Sequence, residues 1–127
     1  MPAALDLLRR MVEINSFTTN RDGVNRLGVL TAGSVAPLGF TAERVPSVNP
    51  AYGDHLVLTR RGRSRKSIAL ISHLDTVFPA ETRVSVRRQG AILKGPGIGD
   101  NCRGLAVLVA TVRALNEAQV RTRGTVT

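Results

Sequence analysis

Ile68-Ala69-Leu70-Ile71 is apolar at four successive positions. A strand with one wet face alternates apolar and polar residues, so this unbroken run predicts a strand covered on both faces. Covering it takes helices on either side, and the neighbouring sequence supplies candidates. Residues 3–14 set Leu5, Leu8, Met11, Val12 and Ile14 at helical spacing, with Asp6, Arg9 and Arg10 between them. That is an amphipathic helix, and Pro2 suits its first turn. A second helix is expected to start near Asn20–Asp22, where side-chain oxygens cap it. It runs through Val24, Leu27, Leu30 and Val35 and stops before Pro37. A third is the Ala- and Leu-rich CRGLAVLVATVRALNEAQ. Short extended segments are expected at Thr41–Val45, His55–Thr59 and Ser67–Ser72, at Val84–Arg87 paired with Ala91–Lys94, and at Gly124–Thr127. The segments 55–59 and 67–72 flank RRGRSRK, which predicts a hairpin with a charged, Gly-containing tip. The expected class is α/β, a largely buried mixed sheet flanked by helices.

Composition narrows the function classes. With 127 residues, 43% hydrophobic and 21% charged, the chain has the make-up of one globular domain. No run approaches the ~18 apolar residues of a membrane span. Asp6, Arg9, Arg10 and Glu13 break up the opening, so no secretory signal is read there. The single cysteine, Cys102, excludes an internal disulfide and a multi-cysteine zinc site. These features point to the cytoplasm and to no membrane partner. The net charge is +9, and sixteen of the eighteen basic residues are Arg. Such a balance raises the possibility of a small basic nucleic-acid-binding module. Yet the chain has one Tyr and three Phe, none interleaved with Arg60, Arg61, Arg63, Arg65 and Lys66. That run lacks a stacking platform and reads more simply as a solvated tip.

Two segments carry chemistry. SHLDTVFP, residues 72–79, follows the apolar run directly. His73 and Asp75 are two apart, which in extended backbone puts them on one side. A metal-bound imidazole needs its second nitrogen held by an acceptor, commonly a carboxylate. A surface His beside a loop-capping Asp is the plainer alternative. GPGIGDN, residues 95–101, ends at Asp100 and Asn101, just where the third helix opens. Asp100 is either that helix's N-cap or a metal-bridging carboxylate aimed by a Gly-rich approach. The loop is neither a Walker A motif nor a dinucleotide fingerprint, since Cys102 stands where a third Gly is needed. Cys102 itself reads as a small, partly buried residue rather than a nucleophile. His55 reads as structural.

Together, ISHLDTVFP and GPGIGDNCRGLAVLVATVRAL resemble the two N-terminal signatures of the co-catalytic zinc metallohydrolases. That family includes glutamate carboxypeptidases, acetylornithine deacetylases, succinyl-diaminopimelate desuccinylases and aminoacylases. LLRRMVEINSFTTNRDGVNRLG resembles its first helix, loop and second helix, so the likeness spans nearly the whole chain. HLDTVFP is nearest the glutamate carboxypeptidase branch. The resemblance implies that His73 ligates one zinc, that Asp75 is the carboxylate orienting His73, and that Asp100 bridges two Zn²⁺ ions, with Co²⁺ as a substitute. It also implies a cis peptide after Asp100. Ser72 stands where Gly is usual, and NCRG where many relatives read MKGG.

The family's next signature, a Glu-Glu pair holding the general base and a zinc ligand, has no counterpart here. After Asp100 the chain offers only Glu117 as a carboxylate, and no His. The expectation is therefore the N-terminal half of a zinc-exopeptidase-like catalytic domain over residues 1–127, without the lid and dimerisation domain and inactive alone. The intact enzyme would be a homodimeric amide hydrolase acting on peptides or N-acyl amino acids through a metal-activated water. The missing part would supply acid to offset the +9, so no nucleic-acid partner is needed. An inactive scaffold that keeps the fold is the remaining alternative.

Overall fold

The computed structural model describes residues 3–127. The expected helical role of Pro2 lies outside the described residues. Helix α1 spans Ala3–Val12, and α2 spans Arg21–Val35. The side chain of Asn20 accepts from the Gly23 amide and caps α2 where the polar cluster forecast it. A tight turn, Ala36–Leu38, holds Pro37. Strands β1 (Thr41–Val45) and β2 (His55–Thr59) follow, then β3 (Ser67–Ile68), β4 (Arg87–Gln89) and β5 (Ile92–Lys94). Helix α3 is Arg103–Glu117, and β6 is Thr125–Val126. The class is α/β.

The three helices build the core. Leu7, Leu8, Met11 and Val12 of α1 meet Leu27 and Val35 of α2, and Leu105, Ala106, Val109 and Val112 of α3. Phe40, Leu58, Leu74, Val86 and Leu93 pack against this cluster from the strands and connections. Each helix thus turns its apolar stripe inward, as the 3.6-residue spacing required.

The strands depart from expectation in three ways. They form three separate two-stranded ladders, β1–β2, β3–β6 and β4–β5, not one buried sheet. All five residues of β1 are exposed. The apolar run is not covered on both faces either: Ile68 is 58% and Ile71 91% exposed. Of this run only Ile68 lies in a ladder, as the second residue of β3. The expected hairpin between residues 55–59 and 67–72 is also absent. β2 pairs antiparallel with β1, and β3 pairs parallel with β6.

The reason is that the segment 123–127 takes the hairpin's place. Val126 exchanges hydrogen bonds with Arg60, the Thr125 amide donates to the Lys66 carbonyl, and the Thr127 amide donates to the Ile68 carbonyl. The Ser64 amide reaches the Arg123 carbonyl. RRGRSRK thus wraps β6 instead of tipping a hairpin. Most of its cations stay in solvent, but Arg60 lies over the Phe40 ring at 5.2 Å. β4 and β5 meet around Gly90 as expected, three residues later on the first strand.

No helix among the described residues is long and apolar enough to cross a membrane. The Cys102 thiol is 2% exposed, and its burial raises its pKa to about 11. At pH 8 roughly one thiol in a thousand is then ionised. Native protein is expected to react with a thiol reagent far more slowly than urea-unfolded protein. Equal rates in the two states would place Cys102 outside the core.

Candidate metal centre

His73 and Asp75 lie beyond the apolar run, and Asp100 lies in the turn Ile98–Cys102 that leads into α3. Gly97 opens that turn at φ +74, a conformation that suits glycine. Asp100 and Asn101 leave the helical region, at φ −136 for both, and the bond between them is cis, as the resemblance implied. Asp100 does not cap α3. Cys102 occupies that position, and no side chain caps the helix there.

The Asp100 carboxylate meets the imidazole instead. His73 Nε2 lies 2.9 Å from Asp100 Oδ1 across 27 residues of sequence. His73 Nδ1 lies 3.0 Å from the Asp75 main-chain carbonyl oxygen and 3.3 Å from its Oδ1. The ring is therefore held at Nδ1 chiefly by the backbone of Asp75, with the carboxylate next to it. Asp75 Oδ2 accepts a hydrogen bond from Thr18 Oγ1 at 2.7 Å.

Both ring nitrogens thus face acceptors. A neutral ring carrying its proton on Nδ1 would turn the Nε2 lone pair at a carboxylate. The arrangement calls for a positive charge at Nε2, either a proton or a bound cation. With a proton there, partial burial lowers the His73 pKa. The hydrogen bonds to the Asp75 carbonyl and Asp100, with the two carboxylate charges, outweigh burial and leave it raised. Imidazole nitrogen and carboxylate oxygen are ordinary zinc donors. The His73 side chain is 50% exposed and that of Asp100 78%, so the gap is open to solvent. The pair fits zinc in kind, but it is only a pair. Among the described residues no three His, Cys, Asp or Glu side chains gather as a metal site.

The two departures at the signatures meet in space. The Asn101 side-chain amide donates to the Ser72 hydroxyl and ties the segment bearing His73 to the one bearing Asp100. Gly104 is needed for this, because a Cβ there would lie 2.1 Å from Asn101 Oδ1. A cavity of about 610 Å³ runs along the inner side of residues 69–75. Val24, Leu56, Leu58, Leu105 and Val109 line it; it reaches His73 and Asp75 but not Asp100. It is an apolar space between helices and strands, beside the polar pair.

Sequence reasoning missed the loop between α1 and α2. NSFTTN reads as a plain connection, yet it clamps the His73 segment. The Thr76 amide donates to the Ser16 carbonyl at 2.8 Å, and the Thr18 amide to the Thr76 carbonyl at 3.1 Å. Asn15 Nδ2 donates to the Pro79 carbonyl at 2.9 Å. These contacts span about sixty residues of sequence, and no local pattern announces them.

Peptidase family M28 matches residues 55–127, the stretch that holds His73, Asp75 and Asp100. The chain belongs to peptidase family M28. Carboxypeptidase G2 of Pseudomonas sp. (strain RS-16) is 34% identical over 128 residues, covering 99% of this chain and 31% of that protein. Among solved structures, aminopeptidase PepT from Bacillus cereus ATCC 10987 superposes with a TM-score of 0.79 at 19% identity, over 97% of this chain and 34% of that one. The di-peptidase Dug1p from Saccharomyces cerevisiae gives 0.77 at 17% identity, over 98% and 30%. At such identities the superpositions show the fold. The M28 chain described here spans about a third of the length of these relatives.

Proposed function

We propose that residues 1–127 are part of the catalytic domain of a zinc-dependent hydrolase that cleaves amide bonds of peptides or N-acyl amino acids. The observation that carries this reading is His73 Nε2 facing the Asp100 carboxylate at 2.9 Å, with Nδ1 held by Asp75. In the proposed site His73 and Asp100 are zinc donors, and Asp75 positions the His73 ring. Bound zinc supplies an activated water and polarises the scissile carbonyl. The residues of this chain fix the donors. Asp75 keeps the Nδ1 proton in place, so that Nε2 presents its lone pair to the metal. Asn101 and Ser72 keep the two donor segments in register. Two Zn²⁺ ions, replaceable by Co²⁺, a homodimer and a cytoplasmic location complete the proposal. Membership of the peptidase family, with carboxypeptidase G2 as a relative, supports the peptide substrates.

Titration of the purified chain with Co²⁺, followed in the imidazole region of its NMR spectrum, tests this. Paramagnetic loss should strike His73 and spare His55, the other histidine. His73→Ala and Asp100→Ala should each abolish saturable binding. Equal broadening of both histidines, or unchanged binding in either variant, would remove the basis of the reading.

A further inference from the structure

Thr18 sits on the loop between α1 and α2, far in sequence from the signatures. Its hydroxyl has one proton and two acceptors within reach, Asp75 Oδ2 at 2.7 Å and the Thr76 carbonyl oxygen at 3.4 Å. The shorter contact lies in the range of strong hydroxyl–carboxylate bonds, so the proton goes to Asp75. The loop itself is anchored on both flanks. Phe17 and Thr76 form a parallel bridge, and Asn20, while capping α2, donates through Nδ2 to the Asn15 carbonyl at 2.9 Å. The main chain that carries Thr18 is therefore held in place by contacts that do not involve the Asp75 carboxylate.

The two oxygens of Asp75 then have separate tasks. Oδ2 is on Thr18, and Oδ1 is 3.3 Å from His73 Nδ1. An aspartate carboxylate turns easily about its last torsion, which has broad, roughly two-fold minima. Fixing one oxygen fixes the plane of the group and with it the oxygen turned toward the ring. The four groups form an unbroken line: Thr18, Asp75, His73, Asp100.

We propose that Thr18 is a positioning residue, its hydroxyl setting the Asp75 carboxylate and, through it, the orientation of the His73 ring toward Asp100. This rests on the reading of His73 and Asp100 as metal donors. Outer groups of this kind are typically worth about 10–100-fold in metal affinity.

The test compares Thr18→Val, which removes the hydroxyl at nearly constant shape, with Thr18→Ser, which restores it. Zn²⁺ affinity of the purified chain is measured by calorimetry. The ¹⁵N shifts of the metal-free His73 ring are measured at one fixed pH. The expected result is a loss of about 10–100-fold in Zn²⁺ affinity and altered His73 ring shifts in Thr18→Val, with both restored in Thr18→Ser. Thr18→Val with wild-type affinity and ring shifts would overturn the proposal, as would a Thr18→Ser variant as impaired as Thr18→Val. If Thr18→Val does not fold, Thr18→Ala is read by the same criteria. Absence of His73-dependent Zn²⁺ binding in the wild type would defeat the metal reading instead. The ring shifts then decide separately whether Thr18 governs His73.

Discussion

Excess Zn²⁺ added to purified residues 1–127 is expected to produce no hydrolysis of N-acyl amino acids or of dipeptides ending in glutamate. Catalytic zinc sites hold the metal with about three protein donors and leave one position open. His73 and Asp100 are two, and no third His, Cys, Asp or Glu side chain joins them among the described residues. Each donor not supplied by protein is left to water, so the metal is held weakly and its charge is shared with bulk solvent. Proton transfer is the second deficit. No glutamate stands at the pair, and a positioned general base contributes about 10²–10⁴ in rate. Asp75 does not fill that role, because its Oδ2 is taken by Thr18 and its Oδ1 faces the ring. Turnover that survives purification and disappears in His73→Ala would show that the donor pair suffices, and would refute this expectation.

How much was legible in the sequence follows from the range of each interaction. Helices are written locally. The spacing of Leu8, Met11, Val24 and Leu27, the Asn20 cap, and the Ala- and Leu-rich run from Cys102 placed all three to within a few residues. His73 and Asp100 were legible as candidates, because each lies in a distinctive segment, SHLDTVFP and GPGIGDN. That Asp100 meets a ring 27 residues earlier was implied by the resemblance and not by the spacing. From the chain alone, a cap and a ligand are the same residue in the same place.

Strand pairing failed as a forecast for the opposite reason. β2 and the apolar run are neighbours in sequence, and a hairpin is the cheapest closure. β2 paired with β1 instead, and a two-residue strand near residue 126 took the hydrogen bonds of β3 and bridged to Arg60. Burial of Ile68-Ala69-Leu70-Ile71 was inferred from hydrophobicity, which states a preference and not what lies opposite. In residues 3–127 nothing packs over the outer side of Ile71. Thr18 was invisible for a related reason. A threonine in a polar loop has no pattern until the segment it clamps is in place.

Because the helices and not the strands hold this fold, the largest loss of stability is expected from Leu27→Ala. Leu27 is fully buried, in the cluster where α1, α2 and α3 meet, and it does not border the 610 Å³ cavity. Neighbours on every side leave little room for the site to collapse. Leucine truncation in such places costs about 2–5 kcal/mol, with the higher values where relaxation is least. A domain's whole stability is only about 5–15 kcal/mol. For a chain of this length the melting temperature should fall by roughly 10–25 °C. Val29, two residues further along the same helix, on its opposite face and 61% exposed, provides the control. Val29→Ala should stay within about 0.5 kcal/mol of the parent, since it removes an exposed methyl pair and improves helix propensity. Chemical unfolding of the two variants at equal concentration measures the difference. If Leu27→Ala costs less than about 1 kcal/mol, the three-helix cluster is not the element that stabilises the fold, and the strands must contribute more than their exposure indicates.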